Sequence, residues 1–243
     1  KGFVGVEENK PKAIEILKGF HSKYPQIEIV TLKKKYPQGG EKQRIDAVTG
    51  RQVKSGGLPI DVGAVVQNVA TSLAVYEAVQ KNRPLITNVM TITGDCLTVQ
   101  HNFLFRIGVP FSFIAEYAGG IPAAAAKIIS GGPMMGRTIA NMDATTVKGS
   151  SSILYLTEEQ TRRRSETACI RCGRCASACP MGLEPYLLFK LAKVDDNAAL
   201  EENAVQDCIE CGCCLYSCPA GVPLLDLIRP AKGNVLRIIK SRK

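Results

Sequence analysis

The sequence of 243 residues contains no tryptophan, only two histidines and only 6% aromatic residues. Proteins that read nucleic acids use recognisable motifs and aromatic platforms, and because neither is present, the net charge of +9 does not predict a nucleic-acid partner. Long apolar runs are also missing: residues 121–129 contain Pro122 and Lys127, whereas a membrane span needs about 18 apolar residues. The N-terminus lacks the hydrophobic segment of a signal peptide. These absences predict a protein, or part of one, that faces the cytosol and has no membrane span.

Cysteine, by contrast, is abundant and concentrated. Nine of the ten cysteines lie between Cys169 and Cys218, and eight of them form two copies of C-x2-C-x2-C-x3-C-P that begin 39 residues apart. Closely spaced cysteines in a chain without a signal peptide favour metal binding over disulfides. The pattern is that of bacterial two-cluster ferredoxins, in which the fourth cysteine of each copy ligates the other cluster. The expected [4Fe-4S] ligands are Cys169, Cys172, Cys175 and Cys218 for the first cluster, and Cys208, Cys211, Cys214 and Cys179 for the second.

Other interpretations of the cysteines and histidines are weaker. Zinc ribbons use paired C-x2-C motifs without a third cysteine at the same spacing, and a redox disulfide needs only one C-x-x-C. Cys213 is interpreted as an additional thiol that binds no metal, and Cys96 as a small buried core residue. His21 and His101 lack metal-ligand spacing, and the sequence contains neither a Ser-His-Asp order nor a Walker loop. No catalytic residue is therefore predicted, and the cysteine-rich segment is expected to relay electrons.

The segments before the cysteines predict two further modules. Strands are predicted at residues 3–6, 27–32, 89–92, 96–99, 138–140 and 153–156. Helices are predicted at residues 11–21, 42–48, 62–80, 110–117 and 123–129. The first strand, helix and strand make a βαβ unit, which is the building block of a parallel sheet. The later segments make a small α+β module.

A glycine-rich loop, Tyr36-Pro-Gln-Gly-Gly-Glu41, follows the second predicted strand. One interpretation is a close approach of the backbone to a flat or phosphorylated ligand. The other is a tight turn without a ligand. The residues of the loop do not decide between the two.

Together these segments closely resemble one family, the C subunit of the Rnf electron transport complex, an ion-translocating ferredoxin:NAD oxidoreductase. The stretches that carry the resemblance are YPQGGEKQRIDAVTGRQVKSGGLPIDVGAVVQNV, TITGDCL, CIRCGRCASACPMGL and CIECGCCLYSCP. The resemblance implies an α+β multidomain architecture. Its parts would be a partial α/β FMN- and NADH-binding domain at 1–84, a soluble-ligand-binding β-grasp module at 85–147, and a helical two-cluster ferredoxin-like domain at 155–230.

The resemblance also places FMN against the glycine-rich loop and the start of a later helix. The corresponding positions are Tyr36, Gly39, Gly40, Glu41, Gln67 and Asn68. In the related flavoprotein subunit of complex I an acidic pair and an Asn pair stand at positions 40–41 and 67–68, and one member of each pair is replaced here. The family's first phosphate-cradling loop, of the G-x-G-G-A type, has no counterpart in this sequence. The chain is therefore expected to be a C-terminal fragment of a longer subunit, and FMN and NADH are expected to bind only the full-length protein.

The function that the resemblance implies is electron transfer between NAD(H) and ferredoxin through two [4Fe-4S] clusters, coupled by membrane partners to ion translocation. The chain would lie peripherally on the cytoplasmic face of the bacterial inner membrane, attached through the other Rnf subunits. The alternative is a related cobalamin reductase of bacterial microcompartments, which shares this architecture. A third hypothesis is a non-enzymatic binding module whose metal is structural.

Overall fold

The computed structural model describes residues 1–242, and its elements fall into three consecutive units. The strands are β1 (Gly2–Glu7), β2 (Ile27–Leu32), β3 (Thr87–Thr93), β4 (His101–Arg106), β5 (Lys127–Ser130), β6 (Arg137–Thr138) and β7 (Ser152–Leu156). The helices are α1 (Pro11–Gly19), α2 (Glu41–Thr49), α3 (Val69–Lys81), α4 (Phe111–Tyr117), α5 (Glu158–Thr161), α6 (Arg174–Ser177), α7 (Pro185–Lys193), α8 (Asn197–Glu202), α9 (Cys213–Ser217) and α10 (Leu224–Ser241). Short 3-10 helices lie at Pro59–Val62 and Val205–Asp207.

The first unit contains the predicted βαβ arrangement. β1 and β2 are parallel, with Gly2 opposite Ile27. Pro11 lies in the first turn of α1, where backbone N–H groups have no acceptor within the helix. The missing N–H of proline therefore costs no hydrogen bond there. The hydrophobic core of this unit is small, because only Leu32 and Ile45 are buried among its hydrophobic side chains.

The helix predicted at residues 62–80 is wrong in its first two turns. The chain leaves the first 3-10 helix through Gly63, whose φ of 65° is left-handed, and α3 begins only at Val69. Asn68 caps α3, since its side chain accepts a hydrogen bond from the backbone N–H of Ala70. The apolar side chains before Asn68 continue the helical spacing of those in α3, and this is why the helix was predicted to begin too early. α3 itself has no buried residue.

The second unit is a mixed five-stranded sheet with the strand order β4-β3-β7-β5-β6. β3 is antiparallel to β4 and parallel to β7, and β7 is antiparallel to β5. α4 packs against the sheet, and together they form one core. Its buried members are Met90, Ile92, Leu97, Phe111, Ile114, Ala118, Ile153 and Tyr155. Cys96 is half-buried and packs against this core.

Two predictions for the second unit are wrong. The segment 123–129 is not helical: Ile128 and Ile129 lie in β5 and pair with β7. Both are β-branched, and β-branched side chains favour a pleated strand over a helix. Residues 96–99 do not form a strand: Asp95 and Cys96 lie in a turn, and the strand follows at β4, which the sequence analysis did not predict.

The third unit repeats more than its cysteines. α7 and α10 begin at Pro185 and Leu224, which are 39 residues apart, as the two cysteine motifs are. The preceding turns also match, since Gly182 and Gly221 have φ of 67° and 63°. The repeat therefore comprises a cysteine loop, a short helix, a turn and a longer helix. Residues of both copies share one core, which contains Leu188, Phe189, Leu200, Val205, Cys214, Cys218, Ala220, Val222, Leu224, Ile228, Ala231 and Val235.

The longest helix, α10, has 18 residues and is amphipathic. It buries Ile228 and Val235 and exposes Arg237 and Lys240. Across residues 1–242, the structure contains no helix with the length and apolar character needed to cross a membrane.

The close approach of Gly94 to β7 gives a test of the second unit. A Cβ atom at Gly94 would overlap the carbonyl oxygen of Tyr155, and the φ of 151° at this glycine is unfavourable for other residues. Gly94→Ala should therefore lower the free energy of unfolding by about 3 kcal/mol. Gly149→Ala is the control, because no atom lies within 4 Å of its added Cβ. Denaturant unfolding followed by circular dichroism measures both, and equal midpoints would contradict the packing of Gly94 against β7.

Candidate metal centre

The first cysteine cavity takes its cysteines from both copies of the repeat. It is lined by Cys169, Cys172, Cys175 and Cys218. Cys169 and Cys172 are exposed, whereas Cys218, at the end of α9, is buried. The cavity is open to solvent and contains about 1610 Å³ of space.

The second cysteine cavity is smaller and more enclosed, with about 360 Å³ of space. It is lined by Cys179, Cys208, Cys211 and Cys214. Cys211 and Cys214 are buried, and Cys179 and Cys208 are half-buried. The structure thus brings together the same two sets of four that the spacing predicts, with the last cysteine of each copy in the cavity of the other.

The two cysteine loops share an uncommon backbone conformation. Arg171 and Glu210, at matching positions, have φ of 55° and 56°, and the glycines two residues later, Gly173 and Gly212, have φ of 72° and 80°. Left-handed residues among right-handed ones turn successive N–H groups to one side, which creates the concave backbone found at iron–sulfur sites. Glycine adopts this φ without strain, and this explains its place directly after the second cysteine of each copy.

Burial keeps several of these thiols protonated. It raises the pKa of Cys214 to about 12 and also raises the pKa of Cys175 and Cys208, although the Lys232 ammonium partly opposes the shift at Cys208. Metal binding must therefore displace protons from these sulfurs. Four soft thiol donors around each cavity fit a [4Fe-4S] cluster. Among residues 1–242, no group of three or more His, Cys, Asp or Glu side chains could hold a metal ion in the observed arrangement.

A lysine lies beside the second cavity. The Nζ of Lys232 donates to the carbonyl oxygen of Cys208 at 2.7 Å and lies 3.2 Å from a carboxylate oxygen of Glu210. Glu210 also accepts from Arg229 at 2.8 Å. Sequence reasoning missed Lys232, but a signal was present: it lies one turn after Ile228 and less than one turn before Val235, on the apolar face of α10.

The glycine-rich loop of the first unit contacts the second cysteine loop. The hydroxyl of Tyr36 donates to the carbonyl oxygen of Cys211 at 2.8 Å. The side-chain nitrogen of Gln43 lies 2.9 Å from the sulfur of Met181. This junction places the predicted flavin loop next to the second cavity and not next to the first.

A third cavity lies at this junction. Its lining includes Tyr36 and Gln43 from the first unit and Cys179 and Cys213 from the third. Cys213 shares this cavity with Cys179 and lines neither of the other two cavities. The side-chain oxygens of Gln38 and Gln43 are buried without a hydrogen-bond partner in the part of the chain that the structure describes.

The other predicted flavin positions lie at two helix N-termini. Gly40 is the N-cap of α2, which begins at Glu41, and Gly39 has open space around it. Asn68 is the N-cap of α3 and follows Gln67. Gln67 and Asn68 line none of the three cavities. The structure thus brings Tyr36 to the junction but does not bring these two residues to it.

Two protein-family models match the chain. The model of the Nuo51 FMN-binding domain matches residues 1–77, and that of a 4Fe-4S dicluster domain matches residues 161–220. The chain thus combines an N-terminal FMN-binding domain with a ferredoxin-like domain for two [4Fe-4S] clusters. These matches confirm the two cofactor types expected from the sequence.

A solved structure shows the same fold. The structure of an NAD⁺-reducing [NiFe]-hydrogenase in the H₂-reduced state has a TM-score of 0.59, over 96% of this chain and 48% of that chain. The sequences are 16% identical, and the likeness therefore concerns the fold alone.

Curated relatives carry one kind of name. A protein of Clostridium ljungdahlii, named as the C subunit of a proton-translocating ferredoxin:NAD(+) oxidoreductase complex, is 50% identical over 80% of this chain and 42% of its own length. The Na(+)-translocating counterpart of Acetobacterium woodii is 43% identical over 97% of this chain and 53% of its own length. The C subunit of an ion-translocating oxidoreductase complex of Erwinia tasmaniensis is 39% identical over 97% of this chain and 29% of its own length. The chain spans about half the length, or less, of these relatives. It is a homologue of the C subunit of the ion-translocating ferredoxin:NAD oxidoreductase complexes.

Proposed function

We propose that this chain is the electron-relay part of a subunit that passes electrons between NAD(H) and ferredoxin, while other subunits of the complex translocate an ion across the membrane. The observation that carries the proposal is the pair of four-thiol cavities, each built from both copies of the repeat. The junction between the glycine-rich loop and the second cavity supports it further, because it joins the FMN-binding domain to one end of the relay.

The proposed ligands are the eight cysteines that line the two cavities. Cys169, Cys172, Cys175 and Cys218 would hold one [4Fe-4S] cluster, and Cys179, Cys208, Cys211 and Cys214 the other. When bound, each cluster supplies the capacity to take up and release one electron at a time. The protein supplies the thiolates, the enclosing loops and, at the second cavity, an apolar core with Lys232 beside it.

For the flavin, we propose that Tyr36, Gly39, Gly40, Glu41, Gln67 and Asn68 contribute to the FMN site. The N-termini of α2 and α3 offer unpaired N–H groups of the kind that bind anions and polar ring edges. The buried oxygens of Gln38 and Gln43 also lack partners at the junction, within the part of the chain that the structure describes. These features fit a flavin only in part. The side-chain oxygen of Asn68 already accepts a hydrogen bond as the cap of α3.

The division of labour follows the three units. We propose an FMN- and NADH-binding part at 1–84, a β-grasp module at 85–147 and a two-cluster domain at 155–230. The mixed sheet with α4 packed against it supports the β-grasp assignment, but its middle strand, β7, lies beyond residue 147, and the unit in the structure therefore extends to residue 156. The chain would associate peripherally with the cytoplasmic face of the membrane through the other subunits.

Metal analysis tests the proposal directly. Protein prepared without oxygen should contain about eight iron and eight acid-labile sulfide per chain, and after dithionite reduction its EPR spectrum should show two interacting clusters. Stoichiometric zinc without an EPR signal would contradict electron transfer and would indicate that the metal is structural.

Single cysteine variants test the crossed ligand sets. Cys179→Ser and Cys208→Ser should each remove about half of the iron and leave the same residual EPR spectrum, because both cysteines line the second cavity. Cys169→Ser and Cys218→Ser should leave the other spectrum. Cys213→Ser is the matched control and should retain all the iron. If the spectrum of Cys179→Ser matched that of Cys169→Ser, ligation would lie within each motif and the crossed sets would be wrong.

Replacement of Lys232 tests the electrostatics of the second cavity. Reduction adds negative charge, and Lys232→Met should therefore lower the reduction potential of the second cluster by on the order of 50 mV, which corresponds to about 1 kcal/mol of Coulomb energy. The other cluster should keep its potential. Lys240→Met, an exposed position on the same helix, is the control in EPR-monitored redox titrations. Equal potentials in the two variants would contradict the role of Lys232.

A further inference from the structure

The two cysteine cavities differ in what covers them. The second contacts the glycine-rich loop through Tyr36, and the second unit reaches the same cysteine loop at Met134, whose carbonyl oxygen is 3.2 Å from a Cβ built on Gly212. Over residues 1–242, no hydrogen bond or ion pair links residues 169–174 to residues 1–157. The first cavity therefore faces outward.

The rim of the first cavity forms a distinct surface, here named the open cysteine face. It consists of Ile170, Arg171, Tyr186, Lys190 and Lys193, which line the cavity and are exposed. Tyr186, Lys190 and Lys193 follow the spacing that places residues on one side of α7. Ile170 is 66% exposed. An exposed isoleucine directly after the ligand candidate Cys169 contributes nothing to the core and is available to a partner.

The open cysteine face is positively charged. Arg171, Lys190 and Lys193 line the cavity together with one carboxylate, Glu166. None of the three cations forms an ion pair with a residue of the described chain. The second cavity differs, because its Lys232 is paired with Glu210. Unpaired cations around a small apolar centre suit the electrostatic steering of an acidic protein to a transient interface.

We infer that the open cysteine face is the docking site of an acidic one-electron carrier protein. The iron–sulfur or flavin group of the carrier, when reduced, would give one electron to the centre held by the first four cysteines and, when oxidised, would take one from it. One electron leaves one centre and enters the other, and no bond or proton is exchanged. The inference rests on the proposed function, because it needs a redox centre in the first cavity. A protein is favoured over an anionic membrane because the cations surround that cavity and because tyrosine is typical of protein interfaces.

Charge reversal on α7 tests the inference without altering the cysteine loop. The iron-loaded full-length protein is mixed in a stopped-flow instrument with a reduced, acidic two-cluster ferredoxin as the probe. Lys190→Glu/Lys193→Glu should lower the second-order rate of electron transfer at least about tenfold at low ionic strength, and the difference should shrink at high salt. Equilibrium binding of the oxidised ferredoxin should weaken in parallel. The reversal should also shift the reduction potential of the first cluster, because both lysines line its cavity. The binding of oxidised ferredoxin does not involve electron transfer, and its parallel loss therefore separates docking from an effect on the potential alone.

Two further variants complete the test. Lys12→Glu/Lys18→Glu makes the same change of charge on exposed positions of α1 and should leave the rate unchanged, while Lys190→Arg/Lys193→Arg should keep the wild-type rate. Equal effects of the two reversals would overturn the inference. So would an unchanged ferredoxin rate combined with lost binding to vesicles containing anionic phospholipid, since the face would then be a membrane contact. Absence of iron from the wild-type protein would instead contradict the proposed function itself.

Discussion

The sharing of cysteines between the two copies of the repeat is the constraint on which the third unit depends. Each four-thiol cavity borrows its last cysteine from the other copy, and the copies therefore cannot separate without opening both cavities. The apolar core follows the same plan, because Leu188 of one copy and Ile228 of the other pack in a single cluster that also contains Cys214 and Cys218. The cysteine cavities and the apolar core are thus built from the same two copies, and a change that separates the copies would disrupt both.

The two cysteine cavities have different surroundings, although both are built from the same two copies. The copies are alike in backbone, with the same left-handed positions, but their surroundings differ. The second cavity is enclosed, has a lysine paired with Glu210 beside it and contacts the FMN-binding domain. The first is open and rimmed by cations that have no ion-pair partner among the described residues. The two cavities are therefore similar in backbone but differ in surroundings: the second faces the first unit and the first faces outward. Side chains outside the cysteine motif cause this difference.

The sequence was most informative where function depends on local spacing. The βαβ unit follows from a short pattern and is present in the structure, and each set of four cysteines that the spacing predicts lines one cavity. The failures had two causes. Residues 127–130 form a strand because β7, which lies later in the chain, pairs with them. α3 starts late for a local reason, because Asn68 caps the helix within an apolar pattern. The sequence places Tyr36 in a glycine-rich loop, but its hydroxyl donates to the carbonyl oxygen of a residue 175 positions away, and no pattern in the sequence records such a contact.

The first unit contacts the third through a few polar groups, and the stability of this junction would therefore depend on the cysteine loops of the second cavity. The first unit buries only Leu32 and Ile45, and a single hydrogen bond contributes only about 1 kcal/mol to stability. Its contacts reach the carbonyl of Cys211, the sulfur of Met181 and the carboxylate of Asp207. Each of these groups belongs to, or lies within two residues of, a cysteine of the second cavity. Each would therefore be held in place when the cysteine loops are closed around a bound cluster. Because binding to a closed loop stabilises the closed loop in return, metal bound in the second cavity would favour docking of the glycine-rich loop, and docking of the loop would favour metal binding.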